Sequence, residues 1–175
     1  TNNISVTSGT TYDAMIDSPT MGSSATQPVG NYATMNPIGS FVSGSSATFT
    51  NGNMSVSIPS VGSPPRNVTS TMAVSSGKYY WEFTAQTIGT VLTFGVASTS
   101  MNFNASIFTT GSFLYNYDGT KTINGSASAY GASYTTGDVL GVALDMDAGT
   151  LTFYKNNASQ GTASSALSGL TVTPI

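Results

Sequence analysis

Asp145 and Asp147 stand two residues apart in LDMDAG, the tightest grouping of carboxylates in the chain. A glycosidase needs two carboxyl groups opposed across a cleft, and adjoining positions on one hairpin do not supply that opposition. The pair fits better as side chains that cap and order the turn Asp147-Ala148-Gly149, with a Ca²⁺ site as the alternative. The remaining chemical inventory is thin: seven Asp and Glu, four Lys and Arg, no His and no Cys among 175 residues. Without His the usual general base, the Ser-His-Asp and Cys-His nucleophile systems and the commonest transition-metal ligand are all missing. Without Cys there are no disulfides and no thiolate metal sites. The expectation is therefore a chain that is not an enzyme, with no resident metal and no cofactor. Recognition chemistry is better supplied. Asn102, Phe103, Asn104, Tyr117, Asp118 and Tyr130 combine flat rings that stack on sugars with amide and carboxylate groups that bond hydroxyls.

Strands must position these residues. Around the aspartate pair, Leu140, Val142, Leu144 and Met146 alternate with Gly141, Ala143 and Asp145, the period of a half-buried strand. Leu151 and Phe153 resume the alternation after a turn in which Gly149 is free to become left-handed, so Tyr134 to Asn157 reads as a hairpin. Its small outward residues, Gly141 and Ala143, leave room for partial cover on that face too, which places the hairpin in the middle of a two-sheet sandwich. In KYYWEFT, Tyr79, Trp81 and Phe83 share one face and Tyr80, Glu82 and Thr84 the other. A lone Trp flanked by aromatics at that spacing reads as core, not as a sugar platform. Leu92, Phe94 and Val96 mark a further strand, and Phe113, Tyr115 and Tyr117 another, followed by the turns Asp118-Gly119 and Asn124-Gly125. Ala47 to Ile58 reads as a second hairpin around Asn51-Gly52-Asn53, and Val68 to Val74 as a strand. Met101 to Ser112 reads as an irregular connection, Gly161 to Leu170 as a small-residue loop, and Thr171 to Ile175 as the start of another strand.

Residues 1–40 are punctuated by Pro19, Pro28 and Pro37 and read as a loop-rich arm. Its apolar residues, among them Tyr12, Ile16 and Tyr32, are expected to pack on the domain or on a neighbouring subunit. Residues 41–175 form the sandwich. Charged residues make up only 6% of the chain against about a quarter in typical soluble proteins, so Ser, Thr, Asn and Gly must carry solubility, and these favour strands and turns over helices. The net charge is -3 and the four cations, Arg66, Lys78, Lys121 and Lys155, are scattered, which excludes phosphate-driven nucleic-acid binding and a polybasic membrane anchor. The apolar runs are too short for a spanning helix, so no membrane insertion is expected.

The order of motifs resembles the SPRY domain, a β-sandwich of the concanavalin A-like jelly-roll type. The matching residues are Gly77-Lys78-Tyr79-Tyr80-Trp81-Glu82, Phe94-Gly95-Val96-Ala97, Tyr117-Asp118-Gly119, Tyr134 with Gly137 through Asp145, and Gly149 through Asn156. Five motifs in register over roughly residues 75–160 make the resemblance specific. It implies an all-β, two-sheet antiparallel sandwich that binds partners through loops at one edge and is not catalytic. Asn156-Asn157 stands where the family has Asn-Gly, and Asn can take the same left-handed turn. The family's last strand normally follows the Pro near the C-terminus, so the sandwich is expected to lack that strand in this chain or to receive it from a neighbour. In the arm, Asp17-Ser18-Pro19-Thr20 and Asn31 through Pro37 resemble the lead-in to SPRY-like modules in structural proteins of tailed bacteriophages.

Together the two resemblances imply a recognition module of a bacteriophage virion, in a tail fibre or tail-tip appendage, that binds a host-surface glycan or protein. Its partners would be that receptor, other virion proteins and copies of itself, as in a trimer, and its location the particle surface. The alternative is a capsid decoration or head-fibre protein whose arm binds neighbouring subunits. A depolymerase is the third reading and lacks a catalytic pair.

Overall fold

The computed structural model describes residues 33–41, 47–58, 67–89, 92–103 and 108–175, and the described residues form strands and turns with no helix. The strands are β1 (Met35–Phe41), β2 (Thr48–Thr50), β3 (Ser55–Ser57), β4 (Asn67–Ser70), β5 (Lys78–Thr84), β6 (Thr93–Ser98), β7 (Ser112–Asn116), β8 (Thr120–Ile123), β9 (Ser126–Ala129), β10 (Val139–Asp145), β11 (Thr150–Lys155), β12 (Ala158–Ser164) and β13 (Val172–Pro174). Two antiparallel sheets make the sandwich. One has four strands in the order β12-β11-β10-β5, the other five in the order β13-β6-β7-β8-β9. Two-stranded ribbons, β1-β4 and β2-β3, accompany them.

The period-2 pattern dictates which side chains meet between the sheets. Leu140, Val142 and Leu144 from β10 and Leu151 and Phe153 from β11 face Phe94 and Val96 from β6 and Phe113 and Tyr115 from β7, all buried in one core. The register pairs Val142 with Phe153 on one side and with Trp81 on the other, so β10 and β11 are the inner strands of their sheet. A second, smaller cluster of Ala97, Met101 and Leu114 lies on the outer side of the five-stranded sheet, with Phe103 and Ile175 packed against it.

Trp81 takes the core-facing position expected of it, on a strand at the edge of its sheet. Its row packs against the core, yet β5 is an edge strand, Tyr79 remains 39% exposed and the Trp81 indole nitrogen is buried with no hydrogen-bond partner. The pattern of aromatics gives the facing of a strand and says nothing about its rank in the sheet. Met54, expected to open the second strand of its hairpin, lies in the turn, where Asn51, Gly52 and Asn53 all have positive φ. The segment 161–170 is only partly a loop. β12 runs through Ser164, and Ser, Thr and Gly suit an edge strand as well as a loop. Within the stretch read as arm, Met35–Phe41 is a strand paired with β4, and residues 1–32 lie outside the described residues. At the other end β13 pairs with β6 and, through Val172, bridges Val74 on its far side.

Two further devices fix the loops. Asp138 accepts from the Thr135 amide and the Asn156 side chain and pairs with Lys155 at 3.2 Å. These bonds, the Thr135 amide foremost, hold its carboxyl below the usual carboxylate range. Tyr130 repairs a bulge between β11 and β12: its hydroxyl accepts from the Phe153 amide and donates to the Gly161 carbonyl, where the strand register slips. Tyr130→Phe should therefore leave a ladder amide and a carbonyl without partners. A loss of about 1–3 kcal/mol in urea denaturation is expected, with β12 amides exchanging faster than the rest of the sheet.

Candidate functional site

Two of the six recognition candidates come together. β7 carries Leu114 and Asn116 on the outer face of its sheet, and the turn that follows presents Tyr117 and Asp118 beside them. Thr93 pairs with Asn116 from β6, while Thr120 and Thr122 flank it from β8. These residues, with Phe108, Gly125 and Ala127, line a groove of about 350 Å³. Its floor is polar, with Asn116 and Thr122 buried and Thr93 and Thr120 half-buried, whereas Phe108 and Tyr117 at its rim are 42% and 37% exposed.

The floor is tied by hydrogen bonds that run in one direction. Thr93 Oγ1 donates to Asn116 Oδ1 at 3.1 Å, and Asn116 Nδ2 donates to Thr120 Oγ1 at 2.9 Å and Thr122 Oγ1 at 3.0 Å. Thr120 in turn gives both its hydroxyl, at 2.7 Å, and its amide, at 3.0 Å, to Asp118 Oδ1. Those two bonds, the hydroxyl first, hold the Asp118 carboxyl below its ordinary range, so it is ionised through and well below neutral pH. Gly119 locks the turn from beneath. It has φ +87°, and a Cβ there would stand 2.6 Å from the Gly131 carbonyl oxygen, an approach that only glycine permits.

The other candidates lie elsewhere. Phe103 packs on the small outer cluster and lines a different groove, of about 260 Å³, with Thr69, Met72 and Thr173. Asn102 is exposed and lines neither groove. Asn104 falls outside the described residues. Tyr130 stands on the inner side, its hydroxyl engaged in the β11–β12 ladder and its ring under Lys121 Nζ at 5.1 Å. Phe108 belongs to the irregular connection Met101 to Ser112 read from the sequence, whereas Thr93, Asn116, Thr120 and Thr122 were not singled out there. Asn116 carried a usable signal, since it follows Leu114 at strand spacing just before a turn, but the neighbour Thr93 is supplied by long-range pairing.

Asp145 and Asp147 are engaged in structure. Asp145 Oδ1 accepts from the Ala148 amide and its Oδ2 pairs with Lys78 at 2.9 Å, while Asp147 Oδ1 accepts from the Gly77 amide at 2.7 Å. The Ala148 bond leads in lowering the Asp145 carboxyl below its usual range. Among the described residues no group of three or more His, Cys, Asp or Glu gathers as a metal cage. Buried phenols remain neutral donors: burial pushes the Tyr115 hydroxyl up to about 12 and the Tyr134 hydroxyl higher still.

Comparison with known proteins agrees with this architecture. The SPRY domain family matches residues 78–175. No curated protein sequence matches the chain. Among 205 matching chains of solved structure, the crystal structure of the SPRY domain of human HERC1 superposes with a TM-score of 0.64 at 23% identity, covering 80% of this chain and 86% of that one. A likeness at 23% identity shows the fold and leaves the ligand to the site. With the family matched over more than half its length, the chain belongs to the SPRY domain family.

Proposed function

We propose that this chain is a non-catalytic recognition module of a bacteriophage virion, carried on a tail fibre or tail tip, and that it binds a host-surface ligand through the Tyr117–Asp118 groove. The observation that carries the reading is the groove itself: two exposed rings and an ionised carboxylate set over a rigid, hydrogen-bonded strand floor. SPRY domains are in general interaction modules and not catalysts. The engagement of Asp138, Asp145 and Asp147 in structural bonds is consistent with that role, because none is left opposed to a second carboxylate across a cleft. Support for the virion setting is the resemblance of Asp17 to Thr20 and Asn31 to Pro37 to phage lead-in segments, together with a surface that relies on Ser, Thr and Asn in place of charge.

The test combines location with binding. Antibody-gold labelling of purified phage particles should mark the tail end, whereas uniform labelling of the head would assign the chain to capsid decoration instead. Fluorescently labelled protein should bind host cells, and Tyr117→Ala should weaken that binding at least tenfold, the effect of removing a hot-spot ring worth about 1.4 kcal/mol or more. Unchanged cell binding by a folded Tyr117→Ala protein would remove the groove from the proposal.

A further inference from the structure

We infer that the Asn116 groove is a binding site for a neutral saccharide, held by direct hydrogen bonds and not through a metal ion. This inference rests on the recognition reading above and names the ligand class that its groove selects.

The directed bonds of the floor leave a specific pair of groups unused. Asp118 Oδ1 is taken by Thr120, and Oδ2 accepts no hydrogen bond. Thr122 Oγ1 accepts from Asn116 and keeps its own proton to donate. The groove thus offers an exposed, ionised acceptor at its rim and a hydroxyl donor in its floor, with Thr120 and Asn116 between them. A sugar matches this, since one hydroxyl can donate to the carboxylate while another accepts from Thr122. The exposed rings of Tyr117 and Phe108 supply apolar faces for the C–H side of a pyranose.

Charge excludes the obvious competitors. Among the described residues the groove lining contains Asp118 and no cation, because Lys121, although on β8, projects to the opposite face and donates to the Ala163 carbonyl at 2.7 Å. A phosphate or a uronate would meet the Asp118 charge without compensation. A lectin-type bridging cation would need several oxygen ligands, and Asp118 is the one carboxylate in the groove lining. At about 350 Å³ the groove lies at the small end of the ligand-site range of about 300–1,000 Å³, which suits one sugar unit of a longer chain. Since Asn116 is already satisfied by three threonines, the floor need not rearrange on binding.

The intact protein, ¹⁵N-labelled, is titrated by NMR with the methyl glycosides of glucose, galactose, mannose, rhamnose and N-acetylglucosamine. At least one should move the Thr93, Asn116 and Thr122 amides saturably, and excess EDTA should change nothing. The uronic acid form of the sugar that binds should bind at least fivefold more weakly. Asp118→Asn and Tyr117→Ala should each weaken binding at least tenfold. Tyr117 is a surface ring, and an unchanged urea midpoint shows that its variant is folded. Affinity should hold from neutral pH down through the ordinary carboxylate range near pH ~4 and fall only below it, as Asp118 protonates. Silence of all five sugars at ~100 mM, a hundredfold above a Kd of ~1 mM, overturns the inference. So does loss of binding in EDTA. If no sugar binds while host-cell binding still depends on Tyr117, the recognition reading stands and its ligand is a protein. If sugars bind while cell binding ignores Tyr117, the saccharide site stands and the host-recognition reading falls.

Discussion

Phe94→Ala should destabilise the protein by about 3–5 kcal/mol, a large share of the roughly 5–15 kcal/mol that holds a domain together. Phe94 is one of the rings through which the two sheets touch, beside the Tyr115–Phe153 stack. Its centroid lies 5.7 Å from Phe83 and 5.3 Å from Phe153 in the four-stranded sheet and its approach, and 5.6 Å from Tyr115 in its own sheet and from Tyr134. The tilted and edge-on geometries add about 0.5–1.5 kcal/mol per aromatic pair beyond the area buried. Removing the ring breaks four such contacts and leaves a cavity walled by other rings, which cannot collapse without changing strand positions. Urea denaturation should show a lower midpoint at an unchanged slope, and Phe94→Leu, which refills much of the volume, should recover more than half of the loss. A cost below about 1 kcal/mol for the alanine variant would mean that inter-sheet packing is carried elsewhere.

The same residue shows what the sequence made legible. Phe94 and Val96 at two-residue spacing point inward whichever strands they pair with, so the alternation alone assigns them to the core. The hairpin from Val139 to Lys155 was equally readable, because its register is set by a local turn and each residue's facing follows from its neighbours. Non-local order was not readable. Nothing in KYYWEFT distinguishes an inner strand from the edge position that β5 occupies, because edge or centre is decided by pairing partners far away in sequence. The groove divides in the same way. Tyr117 and Asp118 were accessible as an aromatic and an acid at a turn, and the adjoining Asn116–Thr120–Thr122 network is local to one hairpin. Thr93 and Phe108 reach the groove through the β6–β7 pairing and a distant loop. Tyr130 illustrates the opposite error of inference: a tyrosine at the end of a polar strand looks available for ligands, yet a bulge 23 residues away from it claims its hydroxyl.

Gly95→Ala is expected to cost at least ~3 kcal/mol, because a backbone clash is added to the usual conformational cost of replacing a glycine. Gly95 sits in β6 opposite Leu114, with its amide and carbonyl both bonded to Ile175 on the other side. At φ +159° its backbone already lies where L side chains are rarely found, and a steric clash adds to that strain. A Cβ there would lie 2.2 Å from the Phe113 carbonyl oxygen and 3.0 Å from the Leu114 Cα. Both belong to the backbone of the adjacent strand, so relief requires β6 and β7 to part in mid-sheet, which exceeds the about 1–3 kcal/mol of ordinary overpacking. Gly137→Ala provides the contrast. It has φ +93° and open space around its Cβ position, so only left-handed strain of about 1–2 kcal/mol is expected. Parallel urea denaturation of the two variants separates the causes: Gly95→Ala should be the more damaging by at least ~1 kcal/mol. Because Thr93 and Asn116 pair two positions further along the same two strands, the surviving folded fraction should also show shifted amide resonances at the groove floor, while Gly137→Ala leaves them in place. Equal costs for the two variants would show that the strands can yield at Gly95, and the rigid floor on which the groove depends would then have no basis in the β6–β7 pairing.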